Sequence, residues 1–291
     1  MRPVMRSVFA AAALLAAAGS AAGQTPPTAP SCEGKTDVLG VGRTVEIDTT
    51  GGPGFGFEHF KAYDFLRPKE VVLTFDDGPW PHNTPAILEA LAAQCAKATF
   101  FPIGKHALWH PEILKQVAAG GHTVGSHTWS HANLWKKPDQ EATDEIERGV
   151  SAVSAALGQP PSPFFRFPAL KHPPAMLKYL GERNIGIFST DLDSFDFKRR
   201  KPGQLVRGVL RKLEKSGKGI VLMHDFQRAT AQDVPDLLKT LKEKGYKIVH
   251  MRAKGPVKTI ASYDEAIKKE FAGNVVAKRP IASVVRTVDD K

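Results

Sequence analysis

The chain is short of cysteine, of long apolar runs and of basic clusters interleaved with aromatics, and each shortage removes a class of protein. Cys32 and Cys95 are its only cysteines, so at most one internal bridge can form and the fold must rest on a buried core. Its longest apolar run, Val8–Ala18, has eleven residues. A membrane-spanning helix needs about 20, so no stable span is expected. The lysines and arginines are spread, apart from the run Lys198-Arg199-Arg200-Lys201, without the stacking aromatics of single-strand binders. No nucleic-acid partner is expected. No repeat of fixed period occurs, which excludes a solenoid. What remains is a chain of 291 residues, 42% hydrophobic and 24% charged, an ordinary globular composition with room for one large domain or two small ones.

Arg2 and Arg6 precede the run Val8–Ala18, and the small residues Gly19-Ser20-Ala21-Ala22-Gly23 follow it. That order is an export signal over residues 1–23, with cleavage after Gly23. The rival is an uncleaved anchor, for which the run is short. Cys32 follows Ala29-Pro30-Ser31, unlike a lipoprotein acceptor site. Loss of the signal removes two positive charges from a chain of net charge +10 and leaves it basic, which favours anionic polymers such as cell-wall glycans or anionic lipid surfaces. A periplasmic or extracellular monomer acting on a glycan is the expectation. In an oxidising compartment two cysteines tend to pair, so a Cys32–Cys95 disulfide tying the N-terminal extension to the domain is expected. The alternative is that Cys95 is a small buried residue at a helix end.

Residues 24–31 read as a linker, and the glycine-rich piece Gly51–Phe57 reads as loop within an extension over 24–69. Regular structure is expected from Glu70. Short apolar runs over Val71–Phe75, Ala98–Pro102, His122–Gly125, Phe164–Phe167, Ile185–Ser189, Gly219–Met223 and Tyr246–Met251 read as strands. Helical patterns lie between them. Thr84 reads as a cap and Pro85 as the opening of a helix carrying Leu88, Leu91 and Cys95, while Ile146, Val150, Val153 and Leu157 keep to one face. Further helices carry Met176, Leu177 and Leu180, then Leu205, Val209 and Leu213, then Val234, Leu237, Leu238 and Leu241. Strands alternating with helices require parallel pairing, hence a doubly wound sheet or an incomplete (β/α) barrel of about seven strands, with reactive groups at the strands' carboxyl ends. The catalytic domain is taken as 70–252. The extension 253–291 is either a packed helix and strap or a loose end.

Those strand ends are chemically loaded. Asp76-Asp77 close the first, and as neighbours on a strand they point different ways and serve different purposes. Gly125-Ser126-His127-Thr128-Trp129-Ser130-His131 follows the third; if the chain turns helical there, His127 and His131 share a face one turn apart. Two imidazoles and a carboxylate leave positions open for water, the pattern of catalytic zinc and also of non-haem iron. Arg166 and Pro168, then Asp191, Asp193 and Asp196, then His224-Asp225 mark three further ends. Singly each reads as a loop ion pair or cap.

Taken in order, Thr74-Phe75-Asp76-Asp77-Gly78-Pro79, His127-Thr128-Trp129-Ser130-His131, Arg166-Phe167-Pro168, Asp196-Phe197 and Leu222-Met223-His224 resemble the five motifs of the polysaccharide deacetylases, carbohydrate esterase family four. The resemblance runs from about Glu70 to Met251. It implies a distorted, incomplete (β/α) barrel and one divalent metal, zinc in most members with cobalt or another divalent ion as substitutes, held by Asp77, His127 and His131. It implies Asp76 as base, with Arg166 orienting it, and His224 as acid paired with Asp196. Metal-activated water then attacks the acetamide carbonyl, and His224 protonates the departing amine. Leu222 is implied to line the acetyl pocket, Pro168 and the Ala169 N–H to flank the carbonyl oxygen, and Phe197 to contact the sugar. The chain departs from the family in two places. Ala169-Leu170 replace the usual Tyr-Gly, and Phe197 stands where Trp is usual, changes that bear on substrate fit. The activity implied is removal of N-acetyl groups from an N-acetylglucosamine polymer such as peptidoglycan or a chitin-like chain. An O-acetyl xylan esterase and a silent glycan-binding protein are the alternatives. An iron oxygenase does not fit, because its His-x-Asp and distant His come on an all-β scaffold.

Overall fold

The computed structural model describes residues 32–198 and 201–277. The export signal and the linker over 24–31 lie outside them, as do Arg199 and Arg200. Among the described residues ten strands are formed: β1 (Val41–Ile47), β2 (Gly54–Phe55), β3 (Glu70–Asp76), β4 (Thr99–Phe101), β5 (Thr123–Val124), β6 (Phe164–Phe165), β7 (Gly186–Phe188), β8 (Leu192–Asp193), β9 (Gly219–His224) and β10 (Lys247–Ala253). Every pairing is parallel. Seven strands form one sheet in the order β1-β10-β3-β4-β5, with β9 on the other side of β3 and β8 beyond it; β2-β7-β6 form a smaller sheet. A bridge between Ser126 and Phe165 joins the two. The result is an open, incomplete (β/α) barrel.

Among the described residues eight α-helices accompany the strands, seven between them and the last after β10: α1 (Asn83–Ala93), α2 (Gly104–Trp109), α3 (Pro111–Ala119), α4 (Asp139–Leu157), α5 (Pro174–Glu182), α6 (Gln204–Ser216), α7 (Arg228–Glu243) and α8 (Ala261–Ala277). None of the described helices is long and apolar enough to cross a membrane.

Strand β3 shows how the sequence sets the layers. All seven of its residues are buried, and their side chains alternate between faces. Val71, Leu73 and Phe75 join the core shared with Leu91 of α1 and with Val234, Leu237 and Leu238 of α7. Val72 faces the barrel interior, packed with Phe101, Phe164, Phe188, Ile220 and Met251. Thr74 and Asp76 fall on that interior face by the same alternation. Strand β9 repeats the pattern, with Ile220 inside and Val221 and Met223 outside, so Leu222 and His224 also point inward.

Several expectations are corrected. Regular structure begins at Val41 rather than near Glu70: β1 pairs along β10, Val45 opposite Met251 and Ile47 opposite Ala253. The glycine-rich piece is not all loop, since Gly54 and Phe55 pair with Ile187 and Phe188. A two-residue strand has no period to read. Leu192–Asp193 is likewise a strand hidden among loop aspartates. Thr84 does not cap α1, whose N-cap is His82; its hydroxyl accepts from the Trp80 N–H and donates to Asp225. Cys95 lies just past the helix in a left-handed conformation (φ 51°). It is bonded to Cys32, Cα to Cα 5.7 Å. The C-terminal segment through Ala277 is helical, and α8 lies against α4 with Ile267 buried in the main core.

Candidate active site

The carboxyl ends of β3, β5, β6, β8 and β9 meet in one cavity of about 300 Å3, lined by Asp76, His127, His131, Ala169, Phe197, Leu222 and His224 among others. Asp76 ends β3 on the interior face and is 2% exposed. The next residue, Asp77, takes φ 74°, the left-handed region that aspartate tolerates better than most residues and that clusters at functional sites. That turn leaves the strand's alternation and brings the Asp77 carboxylate round to the same imidazole, His127, that Asp76 faces. Gly78 follows because nothing else fits: a Cβ there would sit 2.1 Å from the Asp225 carboxylate. His106 of α2 donates from Nδ1 to the Asp77 carbonyl at 2.6 Å, holding the turn from the other side.

His127 and His131 do not lie on a helix. Thr128 and His131 both have positive φ, 64° and 59°, and the segment is an irregular loop. It is held by Glu145 of α4, whose backbone carbonyl accepts from Trp129 and whose carboxylate accepts from Ser130. The loop nevertheless brings both imidazoles onto one oxygen. Asp77 Oδ1 lies 3.4 Å from His127 Nε2 and 3.5 Å from His131 Nε2. One ligand-type atom from each of the three falls within 4.8 Å of the others. His127 donates from Nδ1 to the Arg166 carbonyl at 2.7 Å, which fixes its tautomer and leaves the Nε2 lone pair facing Asp77. Burial, with His131 adding to it, holds the His127 pKa well below its ordinary value, so the ring is neutral. Burial lowers that of His131 too. Asp77 Oδ1 is itself buried without a hydrogen-bond partner. A buried carboxylate oxygen facing two neutral imidazole nitrogens calls for a cation between them, and one oxygen with two nitrogens is a donor set that zinc accepts.

Arg166 is fully buried. Its guanidinium donates to Asp76 Oδ1 at 2.8 Å, to Thr74 Oγ1 at 2.7 Å, and to the Phe188 and Ser189 carbonyls at 3.1 and 2.8 Å. Burial raises the Asp76 pKa, and Arg166 pulls against it. The second oxygen, Oδ2, faces His127 Nε2 at 4.0 Å. On the other side, His224 donates from Nδ1 to Asp196 Oδ1 at 2.7 Å, while Asp196 Oδ2 accepts from the His224 backbone and from Thr230. Burial alone would depress the His224 pKa. The Asp196 hydrogen bond and charge, helped by Asp77 and Asp76, lift it to about 9. His224 Nε2 stands 4.0 Å from Asp77 Oδ2.

The residues named from the sequence thus come together: Asp76, Asp77, His127, His131, Arg166, Asp196, Leu222 and His224 converge, and Pro168 precedes the wall residue Ala169. Phe197 is exposed at the mouth, its ring edge-on to His224 with centroids 5.7 Å apart. Asp191 is turned away, accepting from the Phe57 and Ile220 amides. Sequence reasoning missed Glu58 and His59, which line the same cavity from the glycine-rich extension. Two polar side chains directly after Gly-Phe-Gly-Phe were the available signal.

Comparison with known proteins agrees with this geometry. A family profile described as polysaccharide deacetylase matches residues 65–185. A peptidoglycan-N-acetylglucosamine deacetylase of Listeria monocytogenes is 35% identical over 62% of this chain, and the match spans 38% of the Listeria protein. One of Bacillus cereus is 33% identical over 65% of this chain and 70% of its own length. Among solved structures, a peptidoglycan deacetylase of Bdellovibrio bacteriovorus superposes with a TM-score of 0.67 at 37% identity, covering 74% of this chain and 59% of that one.

Proposed function

Because the chain belongs to the polysaccharide deacetylase family, we propose that it is a metal-dependent hydrolase that removes N-acetyl groups from N-acetylglucosamine units of a polymer, peptidoglycan or a chitin-like chain. The convergence of Asp77, His127 and His131 beside a spare carboxylate on Asp76 carries the reading. Held by those three side chains, a divalent cation such as zinc supplies a Lewis acid and an acidified water.

The chain's own groups do the rest. Asp76, anchored through Oδ1 by Arg166, takes the proton of the attacking water on Oδ2. A base whose pKa is raised from the ordinary carboxylate value is better matched to that task at neutral pH. The Ala169 N–H is assigned to the oxyanion of the tetrahedral intermediate. His224, cationic at neutral pH with its Nδ1 proton committed to Asp196, gives its Nε2 proton to the nitrogen as the C–N bond breaks. Acetate and a free amine leave. Leu222 on the cavity floor contacts the acetyl methyl.

Residues 70–252 form the proposed catalytic unit, with export to the periplasm or beyond as the proposed setting; the disulfide supports it. The deciding experiment measures acetate released from N-acetylglucosamine oligomers, peptidoglycan and acetylated xylan, with and without chelator. Release from the amide substrates, abolished by chelator and by Asp76→Asn with metal content unchanged, is expected. Release from xylan alone, or none from any glycan, overturns it.

A further inference from the structure

One wall of the cavity comes from outside the matched segment. The family profile begins at residue 65, yet Glu58 and His59 line the same space as Asp76, His131 and Leu222. Their backbone is pinned to the barrel. Gly56, at φ +98°, runs so close to β7's exit that a Cβ would lie 2.6 Å from the Thr190 nitrogen. The Phe57 N–H donates to Asp191 at 2.5 Å and the Glu58 N–H to the Thr190 carbonyl at 3.0 Å. His59 Nδ1 bonds Ser189 Oγ at 2.7 Å, and its ring rests on His172 with centroids 4.5 Å apart. His172 in turn packs on Phe167 at 5.1 Å. This wall stands beside Ala169 and Leu170, where the family's usual aromatic is missing.

Depth separates the roles. His127 and Leu222 are buried at the floor, whereas Glu58, His59, Phe195 and Phe197 are exposed at the mouth. A cavity of about 300 Å3 is at the lower end of ligand-pocket sizes and accommodates one sugar ring with its acetamide. The neighbouring rings of a polymer must then lie across the mouth. The Glu58 carboxylate has no hydrogen-bond or ion-pair partner among the described residues. It offers two acceptors to vicinal hydroxyls in charge-assisted hydrogen bonds, while the imidazole face of His59 offers a flat apolar surface to a ring's C–H side. Its negative charge also favours a neutral ring over one carrying a carboxylate.

We propose that Glu58 and His59 bind the neutral sugar ring adjacent to the one being deacetylated, so that the extension makes the enzyme select oligomers over single sugars. This rests on the deacetylase reading above. The test compares wild type, Glu58→Ala and His59→Ala on an N-acetylglucosamine tetramer and on 4-nitrophenyl acetate, with calorimetric binding of the tetramer alongside. The expected result is an about tenfold rise in KM and in Kd for the tetramer in each variant, from loss of a charge-assisted contact at Glu58 or of the apolar ring face at His59, with turnover of the small ester within about twofold of wild type. Unchanged tetramer KM and Kd overturn the proposal, as does an equal loss on both substrates, which would make the wall a mere support. A wild type that releases acetate from neither substrate would sink the deacetylase reading instead, and the tetramer Kd then decides the binding wall by itself.

Discussion

Replacing Arg166 with Met tests the reasoning about the buried carboxylate most directly. The sequence alone suggests that losing this arginine lowers turnover more than stability, but its complete burial and four hydrogen bonds change that expectation. Without the guanidinium, Asp76 keeps a desolvated charge with no counter-ion in contact, and the Phe188 and Ser189 carbonyls lose the donor that Arg166 gave them. Removing one partner of a buried pair costs about 3–5 kcal/mol. For a domain of this size that is a fall in melting temperature of about 6–20 °C. Adding Asp76→Asn to Arg166→Met removes the stranded charge, so the double variant should melt above the Arg166→Met single despite carrying one more change. Coupling of about 2–3 kcal/mol is expected from the cycle. The burial-raised Asp76 pKa supplies an independent sign. A carboxyl whose folded pKa exceeds the unfolded value costs stability as pH rises from the unfolded pKa to the folded one. The Arg166→Met deficit should therefore be smaller at about pH 5 than at about pH 8. Both variants are expected to lose acetate release. The assay is thermal unfolding of the four proteins with the disulfide intact and metal removed. Additive effects, with the double variant below either single, would refute the account of Arg166 as the counter-charge to Asp76.

Three other outcomes are expected. His127→Ala should lower zinc affinity by more than the roughly 10–100-fold that loss of an outer partner costs; unchanged zinc content after chelation and reloading would remove it from the ligand set. Asp196→Asn should move the basic limb of the kcat profile for acetate release, set by His224 at about 9, down by about 1–3 units, because the acid must be protonated to act and loses the charge that holds its proton; an unmoved limb would show that His224 is not the acid. His122, 9% exposed and depressed by burial to about 3, is neutral when folded. Since the unfolded chain takes up a proton below about pH 6.5, stability should fall by about 2 kcal/mol between pH 7 and pH 5 from this ring alone, and urea unfolding of His122→Gln should show that much less acid sensitivity.

Of the candidate catalytic residues, Asp76, Arg166 and His224 were legible because each sits at a strand end, where an apolar run gives way to a titratable group within one or two positions. His-x-x-x-His was legible as a pair but misleading as a shape. Four-residue spacing suggests one helix face, whereas two left-handed residues and the Glu145 clamp produce the same convergence from a loop. Strands β2 and β8 escaped because two residues cannot alternate at all, and β1 because Arg43 stands on the inward row with Val41, Val45 and Ile47 and breaks its otherwise alternating pattern. Glu58 and His59 escaped with them, since their place at the cavity depends on β2 docking beside β7.

The two carboxylates closing β3 owe their separate assignments to backbone geometry more than to their identity. The strand's period of two carries Asp76 to the interior face, where Thr74 and Arg166 wait, and it would have carried Asp77 to the helix-packed outer face among Leu73 and Phe75. The left-handed turn at Asp77 cancels that destination and turns its carboxylate toward His127 and His131. One residue therefore obeys the strand and becomes a buried, arginine-held carboxylate, the proposed proton acceptor, while its neighbour breaks the strand and becomes the oxygen that two imidazoles face. The side chain that can accept this turn cheaply is Asp, Asn or Gly, and of these only Asp brings a charge. The sequence Asp-Asp-Gly is in that sense a statement about φ angles as much as about acidity.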